Sequence, residues 1–92
     1  MKCYTIEFTE RAKKQLKKLD KYISALIVGW IEKNLNGCSN PRIYGKGLIG
    51  NMSGEWRYRI GDYRIIAEIQ EEKIVILILD IGHRKNIYDK KS

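Results

Sequence analysis

Residues 55–81 constrain this chain more than any other stretch. Residues 55–60 (EWRYRI) alternate strictly between polar and apolar, the period of a half-buried strand. Gly61-Asp62 follows, a two-residue pair suited to a primed hairpin turn. Residues 63–70 alternate again, Glu71-Glu72 make a weaker turn, residues 73–81 are almost wholly apolar, and Gly82 ends the run. An unbroken apolar stretch of that length reads as a central strand with both faces covered.

The rest of the chain must cover that sheet. Residues 2–8 form another alternating strand, with Tyr4, Ile6 and Phe8 on one face. Thr9 is placed to cap a helix, with Glu10 in its first turn. Ala12, Leu16 and Leu19 recur at helical spacing, and Lys13, Lys14, Lys17, Lys18 and Lys21 fill the positions between them. Asp20 can cap a second helix carrying Ile23, Leu26, Ile27, Trp30 and Leu35 on one stripe, which Asn36-Gly37 would end. Residues 38–54 are loop-like, holding Asn40-Pro41 and Gly45, Gly47, Gly50 and Gly54. The glycine spacing matches neither a Walker loop nor a dinucleotide fingerprint. The order is β-α-α-β-β-β with a short basic tail or helical turn at 83–92. The expected fold is α+β: two N-terminal helices packed on one face of a mostly antiparallel four-stranded sheet, its opposite face open. Trp30 and Trp56 are expected in the core.

Length and charge narrow the function. At 92 residues the chain fits a single domain spanning 1–92. The longest apolar run, residues 74–79, is far short of the about 20 residues that span a membrane. The alternating start lacks the apolar block of a secretory leader. Cys3 and Cys38 make no disulfide framework, so the expected setting is the cytoplasm, with both thiols reduced. Two Cys and the single His83 do not supply a metal site, and no cofactor is expected. Eighteen Lys+Arg against 11 Asp+Glu leave a net charge of +7, which favours polyanionic partners.

The arginines are placed unevenly. Of six, five lie from position 42 onward: Arg42, Arg57, Arg59, Arg64 and Arg84. A guanidinium fork suits bidentate phosphate contact, whereas lysine is a hydrated point charge. The helix lysines therefore read as a solvated face and the strand arginines as phosphate readers. A two-residue turn at Gly61-Asp62 sets Arg59 opposite Arg64 and places Arg57, Arg59 and Arg64 on one sheet face. Like charges in direct opposition cost roughly a few tenths to 1 kcal/mol. Either an anion between them removes the repulsion, or Glu55 and Glu68 on the same face neutralise it as solvated pairs. In the tail, Arg84 and Tyr88 would share one side of a helical turn, and His83 is the chain's single histidine, a residue type suited to acid–base work. Arg, Tyr and His together suit attack of an RNA 2′-hydroxyl on its neighbouring phosphate. That step needs a base, cations for the phosphorane charge and an acid for the leaving 5′-oxygen. It needs no metal.

Three segments carry a family resemblance: residues 56–65 (WRYRIGDYRI), residues 81–88 (IGHRKNIY) and the connector 41–50 ending in Lys46-Gly47-Leu48. Together with the element order they resemble the RelE/ParE superfamily of bacterial type II toxins, over essentially the whole chain. The resemblance to the RelE-like branch implies an mRNA interferase acting in the ribosomal A site. It implies that Arg57 and Arg59 stabilise the transition state, where that branch commonly carries Lys. It further implies that Arg64 binds phosphate, Arg84 protonates the leaving group and Tyr88 is the general base; His83 is an alternative base. Lys46, Lys85 and Lys90 are expected to touch RNA. The implied partners are the ribosome, mRNA and a cognate antitoxin, acidic and partly disordered when free, in a toxin–antitoxin hetero-oligomer. The ParE-like branch implies a different outcome on the same fold: inhibition of DNA gyrase without nuclease residues. A basic binding module without activity is a third reading. The register of the last strand, and with it the direction of Asp80, is left open.

Overall fold

The computed structural model describes residues 3–47 and 55–83. Strand β1 (Thr5–Phe8) leads into helices α1 (Glu10–Lys18) and α2 (Lys21–Asn34). A 3-10 turn (Pro41–Tyr44) then runs into β2 (Gly45–Gly47), followed by β3 (Glu55–Ile60), β4 (Tyr63–Gln70) and β5 (Val75–His83). The five strands form one sheet in the order β1-β5-β4-β3-β2. Neighbours are antiparallel except β1, which runs parallel to β5.

The caps fall where the sequence places them. The Thr9 hydroxyl accepts from the Ala12 amide at 3.1 Å, and the Asp20 carboxylate accepts from the Tyr22 amide at 3.0 Å. These side chains satisfy amides that a helix start leaves without partners. Gly37, at φ +82°, takes the left-handed conformation that closes α2. Its amide donates to the Tyr4 carbonyl at 2.7 Å, tying the end of α2 to the start of β1. On α2, Ile27 and Ile31 are fully buried, and so is Leu35 just beyond it. Leu26, expected on that stripe, is 48% exposed instead. One residue turns a helix by about 100°, so a face set by Ile27, Ile31 and Leu35 leaves Leu26 at its edge.

The expected four strands become five. Gly45–Gly47 holds no branched or aromatic residue and carries no strand signal. It pairs with β3, setting Gly45 beside Tyr58, Lys46 beside Arg57 and Gly47 beside Trp56. A Cβ at Gly45 would collide with the Arg57 carbonyl oxygen, and one at Gly47 would meet the Trp56 ring at 2.9 Å. The glycines let β2 approach this closely, and Trp56 packs where Gly47 has no side chain. The strand β5 also runs past its expected end, through Gly82 to His83.

A register shift between Ile66 and Ala67 changes which residues of β5 face inward. Ala67 pairs with Ile78, and Ile66 with Asp80, leaving Leu79 as the extra residue. Side chains before the bulge face the helices at Ile76 and Ile78; after it, Ile81 does so and is 2% exposed. Asp80 is held by α1: Gln15 Nε2 donates to its carboxylate at 2.6 Å, and Arg11 lies 3.6 Å away. Gln15 also accepts from the Ile81 amide at 2.7 Å. Helix α1 thereby satisfies the part of β5 that extends beyond β1. The core lies between the helices and the sheet face bearing Tyr58, Ile60, Ile65, Ala67, Ile76 and Ile78. Among the described residues no helix is long and apolar enough to cross a membrane.

Candidate nucleic-acid interface

The hairpin register agrees with the sequence reading at every pair. Arg59 lies opposite Arg64, Arg57 opposite Ile66, and Glu55 opposite Glu68. Directly paired residues share a face, so Arg57, Arg59 and Arg64 lie on the side away from the helices. Strand β2 adds Lys46, paired to Arg57. Trp56, Tyr58 and Ile60 alternate to the helix side, as expected. Glu68 accepts from Gln70 at 2.9 Å, and among the described residues neither Glu55 nor Glu68 forms an ion pair with the arginines.

A groove of about 310 Å³ opens on this face, lined by Ile43, Tyr44, Gly45, Lys46, Arg57 and Arg59. It brings together three of the expected site residues. Lys46 and Arg59 are exposed and Arg57 is half-buried. Two neighbours escaped the sequence reading: Ile43 is 66% exposed and Tyr44 38%. A signal for them was present in Asn40-Pro41, since Asn before Pro commonly starts a short helical turn. The Asn40 side chain accepts from the Arg42 amide at 3.3 Å and does start that turn.

The turn is fixed from below. Tyr58 is fully buried, and its hydroxyl donates to the Pro41 carbonyl at 2.8 Å. Burial in the apolar core pushes the Tyr58 phenol well above its usual range; a charged Cys38 would push the same way, and Arg42 pulls slightly back. Burial likewise raises the Cys38 thiol. Trp30 of α2 packs 5.7 Å from the Tyr58 ring and 6.3 Å, edge-on, from Tyr44. The groove wall is therefore braced by the core.

Two expectations need correction or limits, at Arg64 and at His83. Arg64 is not exposed: it shares the arginine face but is 4% accessible. Its Nη1 donates to the Tyr63 carbonyl at 3.5 Å. Arg64 therefore brings a held side chain to this face, on the strand next to Arg59. Arg42, in the 3-10 turn, is engaged away from the groove. It pairs with Glu71 at 2.7 Å and lies 5.7 Å over the Trp56 ring. His83 pairs with Tyr63, edge-on at 5.5 Å between ring centres. The bulge at Leu79 puts it on the helix side of the sheet, across from Arg57, Arg59 and Arg64. Arg84, Lys85, Tyr88 and Lys90 lie outside the described residues. Among the described residues no group of three or more His, Cys, Asp or Glu is placed to hold a metal ion.

Comparison with known proteins agrees with this architecture. A family model described as the ParE toxin of type II toxin–antitoxin systems matches residues 6–88. Toxin RelG of Mycobacterium tuberculosis is 34% identical over 85 residues, covering 92% of this chain and 95% of that protein. The structure of the RelBE2 toxin–antitoxin complex from Mycobacterium tuberculosis contains a chain that superposes with a TM-score of 0.77 at 31% identity. That match covers 90% of this chain and 93% of the other. A chain of the intact Escherichia coli RelBE toxin–antitoxin complex gives a TM-score of 0.72 at 26% identity, covering 87% and 95%. The fold, the element order and matches that run nearly end to end lead to one assignment: the chain belongs to the RelE/ParE superfamily of type II toxin–antitoxin toxins.

Proposed function

We propose that this toxin is an endoribonuclease that cuts mRNA in the ribosomal A site. The observation that carries this reading is the set of cations in one register on the sheet face away from the helices: Lys46, Arg57 and Arg59 in the groove, with Arg64 opposite Arg59 on the next strand. A scissile phosphate placed in the groove is stabilised by these cations, because charge builds on its oxygens as the RNA 2′-hydroxyl attacks. Preorganised donors aimed at that charge commonly contribute about 10²–10³-fold in rate each. In this mechanism Arg57 and Arg59 hold the phosphorane oxygens, and Arg64 adds its charge from the neighbouring strand. Arg84 gives a proton to the leaving 5′-oxygen and Tyr88 takes one from the 2′-hydroxyl. The position of His83 across the sheet favours Tyr88 over it as the base. The product strand would end in a 2′,3′-cyclic phosphate.

The partner follows from the class. A type II toxin is held by a cognate antitoxin, and the two structural relatives above were solved as toxin–antitoxin complexes. The excess of +7 favours an acidic chain on the same surface.

A second reading has its own support, because the matching family model carries the ParE name. In that case the target is DNA gyrase and no RNA is cut. One experiment separates the two. Purified toxin is added to a translation extract and, separately, to gyrase with relaxed plasmid. New mRNA ends within A-site codons, bearing cyclic phosphates, with supercoiling intact, support the nuclease. Intact mRNA with supercoiling blocked refutes it.

A further inference from the structure

The groove has a wall that phosphate binding does not explain. Ile43 and Tyr44 present apolar and aromatic surface to water at 66% and 38% exposure, beside three cations. A site for phosphate alone needs no such surface. Proteins that bind single-stranded nucleic acid pair a cationic track for the backbone with aromatic rings for the bases. A base that is unstacked from its neighbours finds its new face on such a ring.

The ring is also held still. Tyr44 sits at the end of the 3-10 turn, packed edge-on to Trp30, and the turn is pinned through Pro41 to the buried Tyr58 hydroxyl. Gly45, the next residue, lies so close to β3 that no Cβ fits. The cations sit on the strands that follow directly: Lys46 is two residues along the chain, and Arg57 is its cross-strand partner. A phosphate at Lys46 and Arg57 therefore has an aromatic platform on the adjoining wall. A rigid platform loses little entropy on binding.

We propose that Tyr44, flanked by Ile43, is the surface on which one nucleobase of the RNA strand stacks while Lys46, Arg57 and Arg59 hold the adjoining phosphates. This rests on the reading of the groove as an RNA site and adds to it a base subsite distinct from the reacting groups. A π-face accepts any base, so the platform contributes affinity and positioning more than sequence choice.

The test uses the full-length toxin and a short single-stranded RNA. The oligonucleotide carries 2′-O-methyl groups to block cleavage and a fluorescent 2-aminopurine base at successive positions. Binding is titrated at low salt with wild type, Tyr44→Phe, Tyr44→Leu, Tyr44→Ala and Arg59→Ala. Stacking quenches 2-aminopurine at one position with wild type and Tyr44→Phe. Tyr44→Ala binds roughly 5- to 150-fold more weakly and loses the quench. Tyr44→Leu, which keeps apolar contact with Trp30, loses the quench as well, so the result does not depend on whether the alanine variant folds. Arg59→Ala keeps the quench while the salt dependence of binding becomes shallower. If Tyr44→Leu and Tyr44→Ala bind and quench as wild type does, the platform is wrong and the RNA site stands. If those variants bind RNA normally but release the antitoxin, the wall is a protein contact and the proposal fails. If wild type binds no RNA, the reading of the groove falls and the platform with it.

Discussion

Removing one oxygen from the core should loosen the groove and change how the protein responds to alkali. In Tyr58→Phe the ring remains but the hydroxyl that donates to Pro41 at 2.8 Å is gone. Tyr58 is fully buried, so the Pro41 carbonyl loses that donor within the core. A net hydrogen bond contributes about 1 kcal/mol, and abandoning a buried partner adds to the loss. The expected destabilisation at pH 7 is about 1–2 kcal/mol. For a domain of this size that is a fall in Tm of roughly 4–16 °C. The pH dependence carries a second signature. Burial raises the folded-state pKa of this phenol above its unfolded value. The stabilisation from keeping it neutral is therefore complete below the unfolded pKa of about 10. It drains away as pH rises above that value, by about 1.4 kcal/mol per unit, because only the unfolded chain gives up the proton. The variant carries no such proton. The gap between wild type and variant should narrow to near zero around pH 11. Urea unfolding followed by tryptophan fluorescence at about pH 7 and about pH 11 measures both values. Equal stability at neutral pH, or a gap that persists unchanged in alkali, would refute the role given to this hydroxyl.

Other expectations are simpler. Ile31→Ala should cost about 2–5 kcal/mol and Leu26→Ala under about 1, since the first is fully buried and the second about half exposed; chemical denaturation ranks them. Gly45→Val should push β2 away from β3, costing about 1–3 kcal/mol and lowering RNA affinity together, read by urea melts and oligonucleotide titration. His83→Gln should leave mRNA cleavage within a few-fold of wild type, because its ring lies on the helix side against Tyr63; a loss of a hundredfold in single-turnover cleavage would return it to the reacting groups.

The hairpin was legible because strict alternation meets a two-residue turn, and a slip by one residue would turn every apolar side chain outward. That register delivers Arg57, Arg59 and Arg64 to one face from the residue pattern alone. The limits fall where periodicity fails. Residues 73–81 are apolar almost throughout, so a one-residue bulge at Leu79 leaves no trace in the pattern, yet it decides that Ile81 and His83 point toward the helices. Gly-Lys-Gly carries no strand propensity; β2 exists because Trp56 and the β3 backbone offer a surface that only glycine can approach. Alternation assigns Arg64 its face but is blind to what covers it. Tyr44 reads as an ordinary loop aromatic until the turn around Pro41 sets it beside Lys46.

If the groove cations act on RNA, mRNA cleavage on stalled ribosomes depends on them. The rate is measured for wild type and for the Arg57→Ala/Arg59→Ala double variant, each shown folded by its melting curve. A-site ends are expected with wild type, and a loss of at least about 10²-fold in the variant. Cleavage by the double variant at the wild-type rate, or no A-site ends with wild type, would contradict this reading.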